Sequence, residues 1–101
     1  MDVLEAIGEK NRRRIVELVV ASELSAGDIA QHFETSRPAV SQHLSVLVGA
    51  GVLRVRQEGR RRLYSLDPTM LSDVENWLEK QRRRWEQALD ALEYEMGKDH
   101  E

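Results

Sequence analysis

A chain of 101 residues, 41% hydrophobic and 33% charged, is one domain's worth of sequence. With no cysteine it has no disulfide framework and no thiolate metal site, and no apolar run approaches the ~20 residues that span a bilayer. The net charge of −3 hides a segregation: residues 36–66 hold six arginines against Glu58 alone (+5), residues 1–35 balance to −3 (four basic, seven acidic) and residues 67–101 to −5 (five basic, ten acidic). One cationic module in an acidic chain is the electrostatic footprint of a polyanion partner.

In chain order, residues 2–8 suggest a short helix with Val3, Leu4 and Ile7 on one face. MDVLEAIGEK has early acids and no basic start, so it does not read as a signal peptide, and a cytoplasmic location is expected. A second helix is predicted from Lys10 to Ala21, with Ile15, Leu18 and Val19 as its stripe. Arg12, Arg13 and Arg14 crowd its first turn and read as solvated or ion-paired side chains. Ser25-Ala-Gly-Asp28 is a helix start, a hydroxyl cap with an acid three residues on. Ile29, Ala30 and Phe33 form the expected buried side of that third helix. Ser36-Arg37-Pro38 opens a fourth, with Val40, Leu44 and Leu47 inside and Gly49 and Gly51 marking its end.

Leu53–Gln57 and Arg60–Leu66 alternate as strands around Glu58-Gly59, a hairpin signal. A two-residue loop there would set Leu53 opposite Tyr64, Val55 opposite Arg62 and Arg56 opposite Arg61. Asp67-Pro68 then starts a last helix running to about Met96. Leu71, Leu78, Trp85 and Leu92 recur every seven residues on it, with Val74, Gln81 and Ala88 between them and Trp77, Leu89 and Met96 beside them. Such a repeat on a polar helix packs against a partner helix more often than it lies bare. The chain thus divides into helices and hairpin at 1–66, a long dimerisation helix at 67–97 and a tail from 98 that is expected to fray.

Once Val40, Leu44 and Leu47 point inward, Pro38, Gln42 and Ser45 point outward, flanked by Arg37 and Ser41. That face is small and polar enough for a base edge to approach, and Gln and Arg are the side chains that read adenine and guanine bidentately. Ser36 and the helix start would hold a phosphate. Arg54, Arg56, Arg60, Arg61 and Arg62 crowd the hairpin, and a same-sign run costs self-repulsion that mere solubility does not require. Backbone or minor-groove contact explains it. His43, near the inner edge of the helix, reads as a structural or phosphate-touching residue. Catalysis needs converging groups. His32, His43 and His100 share no useful spacing, and Asp73/Glu75 and Glu93/Glu95 diverge on their helix, so no enzyme is expected.

Helix, helix, helix, recognition helix, arginine wing and long terminal helix together resemble the ArsR/SmtB-like winged-helix repressors over residues 3–96. The segments RRRIVELV, ELSAGDIAQHF, SRPAVSQHLSVLVGAGVLRVRQEGRRRLYSLDP and WLEKQRRRWEQAL carry the resemblance. It implies a mainly α fold with a small β-hairpin and a homodimer joined through the first and last helices. It also implies repression at a pseudo-palindromic double-stranded operator. The expected dimer contact is then Val3, Leu4, Ile7, Leu71, Val74, Leu78, Gln81, Trp85, Leu89 and Leu92. Metal-sensing members carry cysteines in ELCVCD; here the stretch is ELSAGD, with Ser25 and Gly27 at those positions, and the terminal helix has no histidine before His100. The chain is similar to the metal-blind, often autoregulatory branch, with no metal or cofactor expected and any inducer unknown. Relatives often start the second helix with Asp-Pro-Thr, whereas Glu9-Lys10-Asn11 here is a weaker cap. A winged-helix module that binds a protein instead of DNA is the alternative.

Overall fold

The structure, a computed structural model, describes residues 1–98, the side chain of Lys98 excepted. The tail expected to fray, with His100, lies outside the described residues. The chain forms two compact units, residues 1–71 and residues from 72 onward.

The first unit begins with α1 (Val3–Ile7), capped by the Asp2 carboxylate, which accepts from Glu5 N at 2.8 Å. In α2 (Lys10–Val19) Ile15 and Val19 are buried, as the stripe predicts. The helix stops two residues short of the expected Ala21, and Val20 is exposed. The weak cap is stronger than it reads: Glu9 accepts from Arg12 N at 2.8 Å. Arg12 is not simply solvated or ion-paired. Its Nε donates to Ala6 O at 2.6 Å and its guanidinium to Glu5 O at 3.4 Å, so it caps carbonyls at the end of α1.

A two-residue strand, β1 (Leu24–Ser25), runs into α3 (Ala26–Ala30), whose cap is the predicted one: Ser25 Oγ accepts from Asp28 N at 3.1 Å. Phe33 lies beyond the end of α3, half-buried, with the Arg14 guanidinium 5.4 Å from its ring centroid. In α4 (Arg37–Gly49), Ser36 Oγ accepts from Ala39 N at 3.3 Å and Pro38 occupies the first turn, as the sequence predicts. The end of α4 is a Schellman motif: Val52 N donates to Leu47 O at 2.9 Å and Gly51 N to Val48 O at 3.1 Å. Gly51 sits at φ 82°, the left-handed conformation that favours glycine there.

The hairpin β2 (Leu53–Glu58) and β3 (Arg61–Leu66) joins β1 in an antiparallel sheet of order β1-β3-β2. Its register differs from the expected one by two residues. Leu53 pairs with Leu66, Val55 with Tyr64, Arg56 with Leu63 and Glu58 with Arg61. The loop is Gly59-Arg60, not Glu58-Gly59. Gly59 alone in the turn has positive φ (61°), the pattern of a type II′ turn with glycine first. The observed register also separates Arg56 from Arg61, which the expected one would have set face to face, and places Glu58 opposite Arg61 instead. A shift of two keeps every side chain on its predicted face.

Ile15, Ile29, Leu44, Leu47 and Val52 are fully buried, so helices α2, α3 and α4 and the base of the hairpin share one core. Leu47→Ala is expected to lower the unfolding free energy by about 2–5 kcal/mol, through lost transfer energy plus a cavity. Urea denaturation at fixed protein concentration measures it, and a loss under ~1 kcal/mol would mean that α4 is not anchored there. Val3 and Ala6 belong to this core as well. Val3, expected at the dimer contact, is therefore turned into its own unit, because so short a helix must bury its one apolar stripe to stay folded. Leu4 and Ile7 remain half-buried.

The long helix α5 (Thr69–Lys98) begins where the Asp67 carboxylate accepts from Thr69 N (3.0 Å) and Thr69 Oγ1 (2.8 Å). Those bonds, the hydroxyl's first, hold the Asp67 carboxyl below its ordinary value. Met70 is buried at this start. Along α5 itself Leu78, Trp85, Leu89, Leu92, Tyr94 and Met96 are exposed, Trp85 to 68%. Val74 and Gln81 are partly covered, and among the described residues of 82–97 every side chain is exposed.

Candidate nucleic-acid interface

Helix α4 and the hairpin together build the cationic surface of the first unit. With Val40, Leu44 and Leu47 in the core, Ser36, Arg37, Pro38, Ser41, Gln42 and Ser45 are all exposed, as the helical spacing predicts. His43 lies at the inner edge, its Nδ1 3.9 Å from the Glu9 carboxylate. Partial burial opposes ionisation of Glu9. The backbone N–H groups of Asn11 and Arg12, with the charges of His43 and Arg12, outweigh it and hold the carboxyl below its ordinary value. His43 thus faces the cap of α2, in keeping with a structural role.

All five hairpin arginines are exposed, but they are not equivalent. The register puts Arg54, Arg56 and Arg61 on one face with Leu63, and Arg62 on the other with Val55 and Tyr64. The Arg62 face looks toward α4, where Leu44, Ser45, Val48, Val55, Arg62 and Tyr64 line a cleft of about 270 Å³. On the opposite face Arg56 forks onto Glu23, with Nε at 2.9 and 3.0 Å from its two oxygens and a terminal nitrogen at 2.7 Å, and also meets Glu58 at 2.9 Å. The hydrogen bond from Arg56 is the main reason that the Glu23 carboxyl sits below its ordinary value, and the guanidinium is raised in turn by Glu23 and then Glu58. Arg61 pairs with Asp28 at 3.3 Å. Arg37, Arg54, Arg60 and Arg62 form no ion pair among the described residues.

Glu23 and Asp28 are the residues that sequence reasoning missed. They flank β1, a strand of two residues that pairs Leu24 with Tyr64 and Ser25 with Leu63. The signal was present in ELSAGD, where an acid stands on either side of the cap, but their targets lie 33 residues away in sequence. The pairs fix the hairpin against β1 and α3 and reduce its free positive charge.

Among the described residues no three His, Asp or Glu side chains gather as a metal site, and no helix is long and apolar enough to cross a membrane. The exposed set is chemically suited to hydrogen bonding with base edges from α4 and with phosphates from the arginines.

The chain is similar to known bacterial transcription regulators. The family profile described as "Bacterial regulatory protein, arsR family" matches residues 9–55. The "Transcriptional repressor SdpR" of Bacillus subtilis (strain 168) is 40% identical over 77 residues, 76% of this chain and 86% of the relative. The "HTH-type transcriptional regulator Rv2034" of Mycobacterium tuberculosis is 42% identical over 85 residues, 84% of this chain and 77% of the relative. A solved structure described as a "Possible transcriptional regulator for arsenical resistance" superposes with a TM-score of 0.75 at 41% identity, covering 79% of this chain and 83% of that one.

Proposed function

The chain belongs to the ArsR family of bacterial regulatory proteins, and on that premise we propose that it is a homodimeric, cytoplasmic repressor of a pseudo-palindromic operator. It is a DNA-binding transcription regulator with a winged helix-turn-helix fold. In the proposed complex Arg37, Ser41, Gln42 and Ser45 face the major groove, and Ser36 with the start of α4 holds a phosphate. The wing arginines that are not engaged with acids, Arg54, Arg60 and Arg62, take the backbone or minor groove first. Arg56 and Arg61 stay with Glu23 and Asp28 unless DNA displaces those acids. The dimer forms through the apolar seam of α5 from Leu71 through Leu92, with Leu4 and Ile7 of α1 added to it. Control of transcription without catalysis, and without metal or thiol chemistry, is the reading.

The observation that carries the proposal is a polar outward face on α4 beside a cationic wing within one compact unit. A protein-binding adaptor would need neither an arginine-rich wing nor small hydroxyl side chains along α4. Filter binding against salt tests it: affinity for a selected operator should fall steeply with log[salt] by counterion release. Gln42→Ala should relax sequence preference and cost about 1–3 kcal/mol at the base it reads, with random-sequence binding unchanged. An unaltered preference would remove Gln42 from base reading, and salt-indifferent binding with no operator preference would favour the adaptor.

A further inference from the structure

Four arginines from two separate elements border one small pocket at the hairpin tip. Arg37 from the start of α4 and Arg60, Arg61 and Arg62 from the hairpin tip line a space of about 340 Å³ closed by the Ser25–Gly27 turn. None of its lining side chains is acidic. Asp28, just outside, reaches Arg61 at 3.3 Å, a half-exposed pair that an incoming anion can displace. Ser25 Oγ accepts from Asp28 N at 3.1 Å, so its own proton is left to donate. The Arg37 guanidinium lies 3.9 Å from where a Cβ on Gly27 would stand. A cavity lined by four arginines and no acid suits a compact, multiply charged oxyanion held by forked hydrogen bonds, with the Arg37 guanidinium already beside the turn.

We propose that this pocket binds a phosphate group, and that a free phosphorylated small anion seated in it competes with operator DNA. The competition rests on the DNA-binding reading given above, since Arg37, Arg60, Arg61 and Arg62 are among the residues assigned to DNA; the pocket's affinity for phosphate does not. The same seat takes a backbone phosphate in the complex and a soluble phosphoryl anion in its absence. Occupation by the soluble anion engages these arginines, offsets positive charge on the DNA-facing surface and frees the operator.

Inorganic pyrophosphate is the probe. Isothermal titration of the full chain, with ionic strength held constant by sodium chloride, should show saturable binding of one anion per protomer. Arg37→Ala should weaken it about tenfold or more. Gly27→Glu should abolish it by placing a tethered carboxylate beside Arg37; Gly27 is not among the positive-φ glycines, and a Cβ there would meet only Arg37 and Ser25, at an ordinary contact distance of 3.9 Å, so that variant should fold, as circular dichroism would check. Arg83→Ala, on α5, should bind as the unmodified chain does. In the second arm the apparent operator Kd should rise linearly with pyrophosphate once the pocket is saturated. A heat no greater than that of added chloride overturns the free-anion seat. Binding retained in both Arg37→Ala and Gly27→Glu overturns the location. Operator affinity indifferent to saturating pyrophosphate overturns the competition. A chain that binds pyrophosphate but no DNA fragment would refute the DNA-binding reading while the calorimetry upholds the pocket.

Discussion

Trp85→Glu should convert the protein to a monomer at micromolar concentration and lower operator affinity by about 1,000-fold or more, to the level of non-specific binding. Trp85 is 68% exposed in the protomer and shares a seven-residue spacing with Leu78 and Leu92, both also exposed. Bare apolar surface of that extent on one helix face marks an interaction site. In a dimer the substituted carboxylate would be buried without a partner, a penalty that such an interface does not absorb. Half-sites one helical turn apart, ~34 Å, need two recognition helices held in register, so loss of the dimer removes specific binding as a whole. Sedimentation equilibrium checks the first step and an operator titration the second. A dimeric Trp85→Glu variant would move the interface elsewhere on the chain. The fold of the first unit should survive, because its core of Ile15, Ile29, Leu44, Leu47 and Val52 lies within residues 1–71.

The second large effect concerns the wing. Replacing both Arg60 and Arg62 by alanine should weaken binding to operator and random DNA alike. If each touches one phosphate, the salt slope flattens by about two units per protomer. Arg56→Ala should do much less to that slope, because Arg56 already gives its fork to Glu23 at 2.7–3.0 Å and meets Glu58 as well. Its loss should instead loosen the hairpin against β1. Salt titrations of the three proteins on one operator measure the difference. An Arg56→Ala slope that falls as far as the double variant's would mean that DNA displaces Glu23, and that the ion pairs of the free protein do not sort the wing.

Much of this architecture was legible in the sequence because the informative signals are local. Ser25 and Ser36 announce their helices by capping chemistry that spans three residues, and Gly51 ends α4 through a left-handed conformation that few other residues adopt. The apolar spacing of Val40, Leu44 and Leu47 fixes which side of α4 is free, and with it the six exposed residues of the candidate reading face. What stayed hidden depends on long-range geometry. A strand of two residues has no alternation to detect, so β1 could not be found before its partner β3 was placed. The wing loop was misplaced by one position because an Xaa-Gly pair suits one turn type and Gly-Xaa another; the like-charge contact of Arg56 with Arg61 was the clue against the former. The ion pairs Glu23–Arg56 and Asp28–Arg61 follow from β1 and were invisible without it. Arg12 is similar: only the folded angle between α1 and α2 brings its guanidinium to the carbonyls of Glu5 and Ala6.

Regulation divides along the same lines. With no cysteine the ELSAGD stretch offers no thiolate ligand; there Ser25 caps α3 and Gly27 lies near Arg37. The same turn, bordered by arginines, is suited to anions.

Selection of bound genomic fragments by the purified chain, followed by footprinting of the best fragment, tests the central claim most directly. The account predicts an inverted repeat whose half-sites are centred about one helical turn apart, ~10 base pairs, protected by two protomers together. It also predicts protection that disappears with Trp85→Glu and loses its sequence preference with Gln42→Ala. Fragments with no shared sequence, or a single unrepeated half-site protected by one protomer, would contradict it.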